Sequence, residues 1–365
     1  MAPITIIESP RATLIPFITA EEAAALAYPP NAIPGARDVE TLHGTMRVYE
    51  WGPDDGEKVL FVHGDATPCP VFSKIAQALV DAGYRVMLFV EVNTLAHLPL
   101  INRSLGSRIQ RTPLGCKHDV RLFASQILLA VKSSPLGWIG SGNGFSIVAF
   151  SLGGPISLAF AAALPWDVRS LVLLGPAGLL RKLPEGYEDE LLHNPESAPS
   201  PDAIREKVRQ ILGVNPSPAA PPTKSEQKQV VPSETGPTRV DKTFDMGALL
   251  QWQFDYHHGH VRSFQDTVRY GPLRGREYLW GAVCDIIAGR TRPECRLHKS
   301  KLLVFFGQDD DVVVGRETAE DILKLLPAAN LQVEYLPGGH GFPYPNSETI
   351  TQTILSFWGS EPSRI

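Results

Sequence analysis

Apolar residues along the chain follow two alternating rhythms. Residues 58–62, 84–90, 146–150, 170–174, 302–306 and 332–336 form short runs rich in β-branched and aromatic side chains. Such runs predict buried strands. Between them, residues 71–82 place Val71, Ile75, Leu79 and Val80 at helical spacing. Residues 119–131 do the same with Leu122, Phe123, Ile127 and Leu128. Residues 153–164, 317–326 and 347–358 predict further helices, and the alternating 45–50 predicts an outer strand. Apolar strands separated by amphipathic helices indicate an α/β fold, a mostly parallel central sheet flanked by helices.

The alternation stops between Gly175 and Lys299. Within that gap, residues about 195–240 are rich in Pro, Ser, Lys and Glu. They read as a loop or disordered linker, having too little apolar surface to offset chain entropy. Residues 246–270 are aromatic-rich and read as one or two helices. The expected organisation is therefore a core in two pieces, 1–180 and 300–365, with an inserted helical lid at 181–299. Outside 181–299 the chain has 246 residues, close to the roughly 250 that one α/β domain carries. The surplus of Pro (32) and Gly (31) is divided between the linker and the turns of the core.

Composition narrows the function classes. With 43% hydrophobic and 20% charged residues the chain can bury a large core. A net charge of -5 leaves no basic excess for a phosphate backbone, so nucleic acid is not an expected partner. Residues 133–166 carry no charge, but Gly140, Gly142, Gly144, Gly153, Gly154 and Pro155 interrupt them. They read as a buried strand, a tight turn and a buried helix, not as a transmembrane span. Gly140-Ser-Gly-Asn-Gly144 precedes a strand, so the context of a phosphate-binding loop is missing. Cys69, Cys116, Cys284 and Cys295 form no C-x-x-C pair, which fits reduced thiols in a cytoplasmic enzyme. The C-terminal Ser363-Arg364-Ile365 neighbours the peroxisomal S-K-L address and gives a second, weaker localisation.

The most informative segment is Val148-Ala-Phe-Ser151-Leu-Gly-Gly154. An apolar strand runs into a serine, and small residues then open a helix. A nucleophile elbow needs this pattern, because strand and helix approach closely around a strained turn. Ala149 stands where the usual G-x-S-x-G has its first glycine. Downstream, the strand at 302–306 leads into Gly307-Gln-Asp309-Asp310-Asp311, which puts carboxylates at a strand's C-terminal end. Further on, Gly338-Gly-His340-Gly-Phe342 sets a histidine in a glycine-rich loop. The chain order serine, acid, histidine is the order of one known serine-hydrolase fold.

On these motifs, together with His63-Gly64 after a strand, the sequence resembles the α/β-hydrolase superfamily from about residue 45 to 360. The His63-Gly-x-x-Thr-Pro loop is similar to loops of fungal serine hydrolases. The resemblance implies Ser151 as nucleophile, His340 as its base and Asp310 as orienter of the imidazole, with Asp309 and Asp311 as rivals for the acid. It implies an oxyanion hole from the backbone N–H groups of Leu152 and Asp65. It further implies a small-molecule substrate, no metal and no organic cofactor. The expected reaction is hydrolysis of an ester, thioester or amide of a small apolar acyl compound through an acyl-enzyme. Trp252, Phe254 and Tyr256 of the lid are candidates to shape the pocket. Ser151 speaks against the carboxylate-nucleophile members, dehalogenases and epoxide hydrolases. A carbon–carbon bond hydrolase, a perhydrolase and a catalytically degenerate binding protein are the other readings.

Two segments depart from the pattern. After the strand ending near Val90, residues 91–118 show neither an acidic residue followed by Gly-x-Gly-x-Ser nor clear periodicity. Two readings are open: a variant loop on the active-site side, or translated non-coding sequence. His257-His258-Gly-His260 suggests a metal site by composition, but no further ligand is placed by spacing, so a surface patch on the lid helices is expected.

Overall fold

The computed structural model describes residues 14–41, 43–90, 117–194, 198–216, 237–257 and 259–360. Residues 91–116, His258, half of the expected linker (195–197 and 217–236) and Ser363-Arg364-Ile365 lie outside them. Eight strands form one sheet in the order β1-β2-β4-β3-β5-β6-β7-β8. They are β1 (Ala36–Thr41), β2 (Gly44–Trp51), β3 (Lys58–Val62), β4 (Arg85–Val90), β5 (Phe145–Phe150), β6 (Val168–Leu174), β7 (Leu302–Gly307) and β8 (Leu331–Leu336). β1 and β2 pair antiparallel, while β3 pairs parallel with β4 and β5, and β5 through β8 pair parallel in turn. Val59, Leu60 and Val62 of β3, Ile147 to Phe150 of β5 and Leu302 to Phe306 of β7 are buried, as strands covered on both faces must be.

The helices are α1 (Ala20–Ala25), α2 (Ser73–Asp81), α3 (Val120–Lys132), α4 (Gly153–Ala163), α5 (Glu190–His193), α6 (Pro201–Ile211), α7 (Met246–Tyr256), α8 (His260–Tyr270), α9 (Glu277–Ile287), α10 (Gly315–Leu323) and α11 (Ser347–Ser360). Contacts divide the chain into two compact units. One holds residues 50–88, 119–184 and 271–365; the other holds 1–49, 89–118 and 185–270. In the first, α4 packs along β3, β5 and β6, with α3 and α9 beside it, and α2 packs on α11. The Glu50 carboxylate is buried there and accepts from Arg85 Nε (3.3 Å), Ser134 Oγ (2.7 Å) and Trp138 Nε1 (3.1 Å). All three donors reach the same oxygen, Oε1, and offset part of the cost of burying the carboxylate.

In the second unit, Tyr28 stacks edge-on with Phe244 and Trp252, and its hydroxyl lies 2.6 Å from that of Tyr49. The Arg205 guanidinium covers the Phe254 ring at 4.2 Å and donates to the Phe254 carbonyl. α5 packs with α6 and α8.

Three expectations change. Residues 45–50 do not form the outer strand; β1, whose Arg37, Asp38 and Glu40 give it little apolar signal, lies outside them. Residues 201–211, expected within a linker, form α6. Ser200 caps Ala203 N–H (3.3 Å), Pro201 takes the first helical position and Val208 is fully buried. One apolar anchor and a good cap suffice where composition pointed to disorder. His257 and His260 are buried, not on a surface. The break between α7 and α8 turns both inward, with Gly259 N–H donating to His257 Nδ1 (3.0 Å) and His260 lying edge-on to Phe254. Burial lowers His260 to about 4.

No described helix is long and apolar enough to cross a membrane. The uncharged 133–166 run is β5, a turn and the eleven-residue α4. Cys69, Cys284 and Cys295 are buried and form no disulfide among the described residues, and burial pushes the Cys284 thiol up to about 12. Cys116 lies outside the described residues.

Candidate active site

β5 ends at Phe150, and Ser151 follows with φ +54°, a left-handed conformation unusual for a residue with a Cβ. The surrounding backbone fixes it. Ser151 N–H donates to Leu174 O (2.9 Å), and its carbonyl accepts from Gly154 and Ala177 (both 3.0 Å). Such a conformation costs about 1–3 kcal/mol and persists only where neighbours overdetermine it.

The small residues around the turn have steric causes. A Cβ on Gly153 would come within 2.3 Å of Val62 O, so the first turn of α4 can cross the end of β3 only without a side chain. A Cβ on Gly64 would lie 2.8 Å from Ser151 Cβ. Ala149 is fully buried in β5.

β7 delivers the acid. In the turn after it, Asp310 Oδ1 accepts from the backbone N–H of Val312 (3.0 Å) and Val313 (2.8 Å). Its other oxygen, Oδ2, lies 2.8 Å from His340 Nδ1. The Asp310 side chain is 0% exposed, whereas Asp309 and Asp311 are exposed.

β8 delivers the histidine. His340 Nε2 lies 2.9 Å from Ser151 Oγ. A carboxylate only accepts, so Nδ1 carries the proton and Nε2 is left to accept from the serine hydroxyl. The imidazole rests against the Phe150 ring at 4.9 Å between centroids. Ser151, Asp310 and His340 thus form one continuous hydrogen-bonded chain inside the first unit.

Leu152 is buried at the start of α4, and Asp65 is half-buried in the loop after β3. In that loop His63 is fully buried and its Nδ1–H donates to Gly64 O (2.8 Å). Burial lowers His63 to about 4. A folded-state value below the ordinary 6.5 means the unfolded chain binds the extra proton between pH 6.5 and 4. The His63 contribution to stability is complete above about pH 6.5 and is lost as pH falls through that window, by roughly 3 kcal/mol. Thermal unfolding midpoints measured from pH 8 to pH 4 should therefore fall less steeply in His63→Gln than in the unsubstituted protein. Parallel curves would show that His63 does not titrate on unfolding.

Trp252, Phe254 and Tyr256 lie on α7 in the second unit. Trp252 packs on Tyr28 and Tyr256, and Phe254 packs under Arg205. Among the described residues no group of three or more His, Cys, Asp or Glu is placed to hold a metal ion.

No protein-family model matches the chain. A serine hydrolase-like protein of Danio rerio is 30% identical over 137 residues, 38% of this chain and 36% of the relative. The chain thus spans about a third of the length of that curated relative. Solved structures match far more of it. Carboxylesterase CesB from Bacillus subtilis matches with a TM-score of 0.56 at 16% identity, over 90% of this chain and 92% of its own. Esterase RhEst1 from Rhodococcus sp. ECU1013 matches with a TM-score of 0.55 at 15% identity, over 89% and 99%. The chain has the α/β-hydrolase fold. A meta-cleavage product hydrolase from Pseudomonas fluorescens IP01, CumD, shares it with a TM-score of 0.52 at 15% identity, over 88% and 97%.

Within this α/β-hydrolase fold, several residues that hold the site in place escape a reading of motifs. Phe150 supports the imidazole face. Gly175, beside Asp310 and His340, takes φ +47°, a left-handed conformation that side-chain-bearing residues rarely adopt. Gly307 clears the His340 loop, because its Cβ would meet Gly338 O at 2.5 Å. Only the positions of these residues at strand ends hinted at such roles.

Proposed function

We propose that the protein is a serine hydrolase cleaving an ester, thioester or amide of a small apolar acyl compound. The observation that carries this reading is the imidazole of His340 held between Ser151 Oγ at 2.9 Å and Asp310 Oδ2 at 2.8 Å. In the proposed reaction Ser151 Oγ attacks the acyl carbonyl carbon while its proton passes to His340 Nε2. Asp310 steadies the resulting imidazolium. The negative charge on the former carbonyl oxygen falls to the backbone N–H groups of Leu152 and Asp65, with the N-terminus of α4 adding a favourable dipole. Collapse expels the leaving group, which takes the proton back from His340. Water then attacks the acyl-enzyme by the same route in reverse order of roles and frees Ser151. No step calls for a metal or an organic cofactor.

We assign the catalytic core to residues 1–180 and 300–365 and a lid to 181–299, although by contacts 271–299 belongs to the unit that holds Ser151, Asp310 and His340. The buried reduced cysteines support a cytoplasmic enzyme; the terminal Ser363-Arg364-Ile365 keeps peroxisomal import as a second reading. A carbon–carbon bond hydrolase on the same three residues is the alternative reaction, favoured by the likeness to the meta-cleavage product hydrolase.

A fluorophosphonate probe tests the reading. It should form an adduct that maps to Ser151 by mass spectrometry. A folded protein that stays unlabelled would instead point to a non-catalytic binding protein. A panel of esters, acyl thioesters and β-diketones then separates acyl transfer from carbon–carbon cleavage.

A further inference from the structure

We infer that Asn346 is a positioning residue for His340, an inference that rests on the hydrolase reading above. The histidine loop leaves β8 at Leu336 and returns at α11. The side-chain amide of Asn346 donates one N–H to Pro337 O (2.9 Å) and the other to Phe342 O (2.9 Å). These carbonyls stand on either side of His340 in the chain, so one primary amide, with its two donors, closes the loop across its mouth. Asn346 is itself held by α11: its carbonyl accepts from Ile350 N–H (3.0 Å), and its N–H donates to Phe342 O (3.2 Å).

The other side of the loop is tied to the acid. Asp309 N–H donates to Gly338 O (3.1 Å), and Gly307 presents a bare Cα to Gly338 and Gly339. His340 therefore hangs between two anchors, the turn that carries Asp310 and the Asn346 amide. Removing the amide leaves the sheet-side anchor and the buried Phe342 in place, so the fold persists. What is lost is the tie to Pro337 and one of the two bonds to Phe342 O, the other being that of the Asn346 backbone N–H, and with them the closure across the loop that sets the imidazole's distance from Ser151. Proton transfer tolerates little error in that distance, and a misplacement of about 1 Å can cost about 100-fold in rate.

Asn346→Asp is the sharpest test. It keeps the shape but turns two donors into acceptors facing two carbonyl oxygens. The second-order rate of Ser151 labelling by a fluorophosphonate, and kcat for a short-chain p-nitrophenyl ester, should fall about 10- to 100-fold. KM should stay within about twofold, since no substrate contact changes. Asn346→Ala should fall in the same direction by less. The slow residual labelling of His340→Ala should be no slower in His340→Ala/Asn346→Asp, because Asn346 acts only through the imidazole. Unchanged rates in both variants, a loss confined to KM, or an equal further loss without His340 would each overturn the inference. So would failure of both variants to fold, which would make Asn346 a determinant of folding and not of geometry. If the unsubstituted protein itself does not label, the hydrolase reading fails first, and the two failures are distinct.

Discussion

Ser151→Ala is expected to lower kcat on any accepted acyl ester by about 10⁴–10⁶-fold. The hydroxyl is the only group at this turn that can bond to the acyl carbon, and nothing adjacent can replace it. His340→Ala should cost nearly as much, because a serine hydroxyl without a base at 2.9 Å remains a weak nucleophile. The double variant should be no worse than either single one, since the two side chains act as a unit and their losses do not add. Steady-state rates with protein concentration fixed by absorbance check this, and unchanged thermal midpoints confirm that the fold persists. The alanine keeps the strained φ of +54°, so no stabilisation is expected from the swap. Retention of more than about a tenth of the activity in Ser151→Ala would place the chemistry elsewhere.

Asp310→Asn is expected to cost about 10⁴-fold in kcat with the fold intact. The reason is a forced tautomer. The backbone N–H groups of Val312 and Val313 hold one side-chain oxygen of residue 310 at 3.0 and 2.8 Å. An asparagine must satisfy them with its single oxygen, which turns its NH₂ toward His340 Nδ1. That nitrogen then becomes an acceptor, the ring proton moves to Nε2, and the base facing Ser151 is gone. Asp309→Asn and Asp311→Asn alter exposed side chains and should change rates by no more than two- to threefold, the size of a typical surface effect of about 0.5 kcal/mol. Equal losses in all three variants, measured under saturating ester, would remove Asp310 from its proposed role.

The strand, turn and helix around Ser151 are neighbours in sequence. Their signature, an apolar run that ends at a serine followed by Gly153 and Gly154, was legible because every contact that shapes it is local or comes from the end of the adjacent strand. The parallel sheet was legible for a similar reason: strands buried on both faces must be near-continuously apolar, as β7 is and as β3 and β5 are apart from Lys58 and Ser146. β1 was not legible, because Arg37, Asp38 and Glu40 make half of this edge strand charged and leave no apolar pattern. Nor was α6, which depends on a single buried valine and a cap at Ser200. The inward turn of His257 and His260 was equally invisible, since a histidine reads as polar whatever covers it.

The sequence by itself determined the class of fold and a short roster of reactive side chains, because strand and helix periodicities and glycine-lined turns are local consequences of backbone geometry. Which of Asp309, Asp310 and Asp311 faces the imidazole was decided only by tertiary structure. That choice depends on how the turn after β7 meets a loop that begins beyond β8, and on two backbone N–H groups that hold one carboxylate inward. The brace at Asn346 belongs to the same category. An asparagine before a helix is common, and its bonds to Pro337 and Phe342 exist only because the chain folds back upon itself there.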